Sequence, residues 1–282
     1  MGLVISINSN GTLIDAETVN WLKECPPVRI NVTLYGASDE TYGRLCGNPK
    51  GFTQATGAIR LLREAGINVK INCSVTAHNV CDLREIFAFA RENKLIVQAT
   101  SYMFPPVRRD ENMIGTNDRF SPEDAAYYAA CIGCLMNGEE DFLYRMENGL
   151  LPGIPGEAAE DCPELTEGEG IRCRAGRCSF WVTWEGTILP CGMFPMDGAP
   201  NVFAADFSDA WRTVREKADG IRLPAACAAC PQKENCKPCA AMVYTESGDF
   251  SKVPEYRCRM TKSYGAGCAR VAGKIKEKGE NR

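Results

Sequence analysis

The sequence predicts an α/β fold, a parallel sheet joined by helices, followed by a small cysteine-rich α+β module. Three observations carry this expectation. Within residues 1–101, short apolar stretches alternate with helix-like ones, the rhythm of right-handed parallel crossovers. Residues 149–170 hold six carboxylates, three prolines and no Lys or Arg, which reads as a solvated linker and a domain boundary. Beyond it, eight cysteines fall between Cys173 and Cys258, the number that two four-ligand metal sites need.

Taken in order, residues 3–7 (LVISI) read as a buried strand ended by the turn signal Asn10-Gly11. Asp15 is an N-cap for a helix through Trp21 and Leu22, which stops before Pro26-Pro27. Residues 28–34 form the next strand. Residues 53–65 form a helix with Ile59, Leu62 and Ala65 on one face and Gly66 as its stop. A third strand covers 67–75, Asp82 caps a helix carrying Leu83, Ile86, Phe87 and Ala90, and 95–100 is a fourth strand. A closed barrel needs eight strands. This chain opens inside a strand, so the expectation is a fold that has lost its beginning.

After the fourth strand, Met103-Phe104-Pro105-Pro106 and the charged run Arg108 to Glu111 make a candidate substrate-facing loop, since such loops leave the carboxyl ends of parallel strands. Ser121-Pro122-Glu123-Asp124 starts a helix expected to reach about Asn148. In the cysteine module, alternating Phe180, Val182 and Trp184, the turn Glu185-Gly186, and then Ile188 and Leu189 predict a hairpin with cysteines at its outer ends. Residues 206–218 read as a helix, and the tail 261–282, six basic residues against two acidic, as a frayed terminal helix.

Composition narrows the function. A net charge of −4 gives no bulk attraction to nucleic acid or to an anionic membrane. The first residues carry no basic, apolar leader pattern, and no apolar run approaches a membrane span. Sixteen cysteines without such a leader point to a reducing, cytoplasmic setting, where thiols bind metal more often than they pair. A disulfide scaffold is disfavoured because disulfide-dense proteins are usually much shorter. The thiols by themselves leave zinc, copper(I) and iron–sulfur clusters open. Cys25, Cys46, Cys73, Cys81 and Cys268 read as ordinary thiols, and Cys131 and Cys134 as a pair on one helix face. Cys162, in the linker, receives no role, and the lone His78 falls in a turn.

The spacing Cys173-x12-Gly186-x4-Cys191, then Cys227-x2-Cys230-x5-Cys236-x2-Cys239, then Cys258, closely resembles the SPASM domain of radical SAM enzymes. That pattern has three residues between its last two core cysteines; here Cys236 and Cys239 are separated by two. Upstream, Asn10-Gly11 resembles the family's third-strand TNG, and Val32-Thr33-Leu34-Tyr35-Gly36 its fourth-strand SLDG, with Thr33 at the serine that contacts S-adenosylmethionine in relatives.

The resemblance implies a partial (β/α) parallel barrel lacking its first two strands over 1–148, the acidic linker 149–170, a SPASM domain over 171–260 and a basic tail 261–282. It also implies two auxiliary [4Fe–4S] clusters. By position, Cys173, Cys178, Cys191 and Cys239 would hold the first, and Cys227, Cys230, Cys236 and Cys258 the second. The activity implied is that of an oxidoreductase that modifies a peptide or protein through a 5′-deoxyadenosyl radical, fed by a reductant such as flavodoxin or ferredoxin. Cleavage of S-adenosylmethionine needs a third [4Fe–4S] cluster on a Cys-x3-Cys-x2-Cys loop, which these residues do not contain. No catalytic residue is assigned. The rival expectations are a non-catalytic iron–sulfur or electron-transfer fragment and a zinc-stabilised binding module.

Overall fold

The computed structural model describes residues 4–151, 170–171, 173–236 and 239–280. It divides into two compact units, Met1–Tyr102 with Tyr127–Gly156 and Ala266–Arg282, and Met103–Ala126 with Glu157–Gly265. Most of the acidic linker, Cys162 included, lies outside the described residues. Among the described residues, no helix is long and apolar enough to cross a membrane.

The first unit rests on four strands, β1 (Ser6–Ser9), β2 (Arg29–Thr33), β3 (Val69–Ser74) and β4 (Ile96–Thr100), all parallel and in spatial order β1-β2-β3-β4. Helices α1 (Ala16–Glu24), α2 (Asp39–Cys46), α3 (Gly51–Glu64) and α4 (Leu83–Glu92) make the connections. Strand side chains alternate, and paired residues of a parallel sheet share a face. One face is apolar: Ile30, Val32, Ile71, Cys73, Val97 and Ala99 are all buried. Helix residues buried with them include Leu22, Ile59, Leu62, Ile86 and Phe87. Each such aliphatic side chain contributes roughly 1.5–3 kcal/mol by leaving water.

Asp15 caps α1 as expected, accepting the Thr18 N–H at 2.8 Å. Asp82 stands before α4 but does not cap it; its carboxylate instead accepts the Ala37 N–H at 2.7 Å. The first strand also differs. It spans Ser6–Ser9, and Val4 and Ile5 are 80% and 52% exposed; among the described residues β1 pairs on one side only, with β2.

The helix from Ser121 is α5 (Pro122–Asn137), with Ser121 Oγ accepting the Asp124 N–H at 3.1 Å. It does not reach Asn148. Gly138 adopts φ +94°, a left-handed value that stops the helix, and α6 (Glu139–Glu147) follows.

The second unit contains the hairpin β5 (Trp181–Val182) and β6 (Ile188–Leu189), antiparallel with Trp181 opposite Leu189. After it come α7 (Phe207–Gly220), α8 (Ala225–Ala228), α9 (Lys233–Cys236), α10 (Ala240–Ser247) and the first part of α11 (Glu255–Glu280). Its core joins Ile171, Phe194, Leu223 and Val243. A buried ion pair braces it: Arg119 meets both oxygens of Glu246 at 2.6 and 2.8 Å and lies 3.6 Å over the Tyr256 ring. Residues 261–280 of the tail are helical and not frayed. α11 begins at Glu255 and buries Met260, Tyr264, Cys268 and Val271, a stripe at helical spacing that fixes it.

Candidate functional site

The other face of the four-stranded sheet is polar. It presents Ser6 and Asn8 from β1, Arg29, Asn31 and Thr33 from β2, Lys70, Asn72 and Ser74 from β3, and Gln98 and Thr100 from β4, with exposed Ile96 the apolar exception at the start of β4. A sheet covered by helices on both faces reads as continuous apolar strands. Here the alternation marks a face meant to meet something polar. Asn31 donates to Asn8 Oδ1 at 2.8 Å, and Lys70 to Gln98. Burial, with the Arg29 charge beside it, pushes the Lys70 amine down. Among the described residues, Arg29 Nε, Asn31 Oδ1 and Asn72 Oδ1 are buried without a hydrogen-bond partner, a donor and two acceptors left unused on this face.

Thr33 sits on this face at the carboxyl end of β2, opposite Asn72. It is half-buried, and its carbonyl accepts from the Tyr42 hydroxyl at 3.3 Å. Its position suits a ligand contact, since ligands meet parallel sheets at the carboxyl ends of strands.

In the second unit, seven of the eight thiols fall into two groups. The first opens with the turn after Cys173, where Gly176 at φ +71° donates to the Ser179 carbonyl at 2.8 Å. A Cβ on Gly176 would lie 2.3 Å from Ala218 Cβ, so only glycine lets this turn close onto α7. Cys191 follows β6. Cys239 is the N-cap of α10, its sulfur accepting the Met242 N–H at 3.4 Å, a position that favours a thiolate. Cys173, Cys191 and Cys239 pack against one core cluster, close enough for charge on one to raise another. Burial chiefly, then Cys191 and Cys173, push Cys239 up to about 11 despite the Met242 N–H. Burial and Cys173 also raise Cys191, against the Met193 N–H and the Arg108 charge. Cys178 is exposed, and among the described residues no interaction joins it to that trio.

The second group is Cys227, Cys230, Cys236 and Cys258. Burial first, then Cys258, Cys227 and Cys230, push Cys236 up to about 11, with a Thr261 hydrogen bond opposing. Burial and Cys230 raise Cys258, while Lys262 and Arg257 lower it. The Gln232 N–H donates to Cys230 sulfur at 3.4 Å. Arg257, fully buried, donates to the Cys236 carbonyl at 3.3 Å and so ties α9 to α11, which carries Cys258.

Among the described residues, no three His, Cys, Asp or Glu side chains converge tightly enough to hold a metal ion as they stand. The fit is therefore chemical: clustered soft donors that resist deprotonation beside one another, a cost that a bound cation would relieve. Of the remaining thiols, Cys25, Cys46 and Cys81 are exposed and Cys73 and Cys268 are buried. His78 is exposed in a turn. The polar face went unpredicted, although Arg29-Ile30-Asn31-Val32-Thr33 and Lys70-Ile71-Asn72-Cys73-Ser74 alternate plainly.

Residues 1–90 match the family model described as the radical SAM superfamily. Over 268 residues the chain is 25% identical to the AdoMet-dependent heme synthase of Methanosarcina barkeri, covering 90% of this chain and 74% of that protein. Over 201 residues it is 24% identical to the antilisterial bacteriocin subtilosin biosynthesis protein AlbA of Bacillus subtilis, 71% of this chain and 40% of the relative. A solved structure, native anSMEcpe with bound AdoMet and Cp18Cys peptide, is similar in fold, with a TM-score of 0.66 at 16% identity over 98% of this chain and 77% of that one.

Proposed function

Because the chain belongs to the radical SAM superfamily and its homologues include radical SAM/SPASM enzymes, we propose that it is an oxidoreductase modifying a peptide or protein, with two auxiliary [4Fe–4S] clusters. In this reading Cys173, Cys178, Cys191 and Cys239 hold the first cluster, with exposed Cys178 moving in to complete it. Cys227, Cys230, Cys236 and Cys258 hold the second. The observation that carries the reading is the side taken by Cys239. It packs against the same core cluster as Cys173 and Cys191, a cluster that does not include Cys236, its nearest cysteine in sequence. A zinc site built from two neighbouring Cys-x2-Cys pairs would put Cys236 and Cys239 together.

When bound, such clusters supply one-electron transfer, with potentials set by burial and by hydrogen bonds to sulfur. The Met242 and Gln232 N–H groups are the sulfur-directed donors this chain offers. Thr33 and the unused polar atoms of Arg29, Asn31 and Asn72 hold and orient S-adenosylmethionine or substrate on the polar face. The reductant is a small carrier such as flavodoxin or ferredoxin, in a reducing, cytoplasmic compartment. With no Cys-x3-Cys-x2-Cys in its 282 residues, the chain alone is expected not to cleave S-adenosylmethionine.

One observation favours a second substrate class. The heme synthase relative matches 90% of this chain, more than the bacteriocin-biosynthesis relative does. A tetrapyrrole is then the alternative to a peptide. Anaerobic reconstitution tests the metal reading: about eight iron and eight sulfide per chain are expected, with a shoulder near about 400 nm bleached by dithionite. Stoichiometric zinc without colour would overturn it. Release of 5′-deoxyadenosine by this chain alone would overturn its catalytic incompleteness.

A further inference from the structure

The first unit contains a cleft of 530 Å³ that the proposed chemistry does not use. Three helices line it. From α4 come Leu83, Arg84 and Arg91; from α5, Tyr127, Tyr128, Cys131 and Leu135; from α11, Val271, Lys274, Ile275 and Lys278. The floor is apolar and aromatic, and the rim is cationic. Arg84 and Arg91 stand seven residues apart, about 10 Å along α4. Among the described residues, no acid pairs with either of them. Glu139 is the acidic residue of the lining, and it already faces Lys278 at 4.0 Å.

The cations converge inward. Lys274 donates to the Tyr127 hydroxyl at 2.9 Å, and Arg270 lies 4.1 Å over the same ring. The Cys131 thiol, raised by burial, is drawn back down by Tyr127 and by the charges of Lys274, Arg84 and Arg270. Cations held around an apolar floor with a single, already engaged acid are complementary to a ligand that is both apolar and negative.

We propose that this cleft between α4, α5 and α11 binds a small amphipathic organic anion, its flat or aliphatic body on Tyr127, Tyr128 and Leu135 and its charged group between Arg84 and Lys274. The inference is independent of the metal reading, because none of the eight thiols assigned to the clusters lines the cleft.

Pyrenebutyrate is a direct probe, with pyrenebutanol as its neutral counterpart and inorganic phosphate as charge without a body. In fluorescence titrations of the full chain, pyrenebutyrate should bind at least about tenfold more tightly than pyrenebutanol, the difference shrinking as salt rises. Phosphate should compete weakly. The double variant Arg84→Glu/Arg91→Glu changes exposed side chains and should keep its circular dichroism while losing at least about tenfold in affinity. Saturating pyrenebutyrate should slow alkylation of Cys131 by iodoacetamide and leave exposed Cys25 and Cys46 unaffected. Equal binding of the acid and the alcohol, an unchanged affinity in the charge-reversed variant, or unprotected Cys131 would each overturn the proposal.

Discussion

Asp82 illustrates how one side chain can serve a purpose other than the one its neighbours advertise. It precedes α4 as an N-cap would, yet its carboxylate reaches across to the Ala37 N–H. Partial burial pushes its pKa up, but hydrogen bonds from Ala37, Thr41 and Cys81 and the Arg44 charge prevail, and it falls below the ordinary 3.8. A carboxyl depressed in the folded state adds stability that is present above its unfolded pKa and is lost as pH falls through the folded value. Thermal melts from about pH 5 down to about pH 2 should therefore fall more steeply for the wild type than for Asp82→Asn. Parallel melts would refute this role. Glu246 sets a larger effect. With Arg119 and Glu246 only 6% and 4% exposed, Glu246→Ala leaves a buried guanidinium without its carboxylate and should cost about 3–5 kcal/mol in urea unfolding. A loss below about 1 kcal/mol, the size of a surface pair, would contradict it.

At the level of helices and strands, alternation and turn residues made most of the first unit legible in the sequence. The Asp15 cap, the helix before Gly66 and the three strands after the first all lie where those patterns put them, within a few residues. α2 went unread although Ser38 caps it and Gly47 closes it at φ +67°, because an eight-residue helix that buries only Thr41 and Tyr42 leaves almost no periodic trace. The break at Gly138 was hidden for the opposite reason: helix-forming residues continue on both sides, and only the backbone reveals the left-handed turn. In the cysteine module, spacing identified the thiols, while the grouping of Cys239 depends on where α10 begins. The turn at Gly176 gives this a test. Gly176→Ala has both a left-handed φ and a clash with Ala218 to overcome, so it should displace Cys173 and Cys178 from α7. Reconstituted protein should then lose about half its iron, leaving the second set filled. Full iron content in that variant would show that the turn does not position these ligands.

For the whole molecule, the parallel sheet exposes what single strands could not. The central strands alternate polar and apolar residues on their own, but a single strand does not say which neighbours share its polar face. Only their registered pairing collects Arg29, Asn31, Thr33, Lys70, Asn72 and Gln98 on one surface and leaves some of their polar atoms unused. In the other unit, Cys239 packs against the same core cluster as Cys173 and Cys191, and the proposed division of the eight thiols into two sets cuts across their order in the chain. That division is the central claim, and iron content after anaerobic reconstitution of two paired variants tests it. Cys173→Ala/Cys239→Ala removes two ligands of one proposed set and should retain about four iron per chain, whereas Cys236→Ala/Cys239→Ala damages both sets and should retain fewer than about four. If the first variant falls to nearly none while the second keeps about four, Cys239 belongs with Cys236 and the proposed division is wrong.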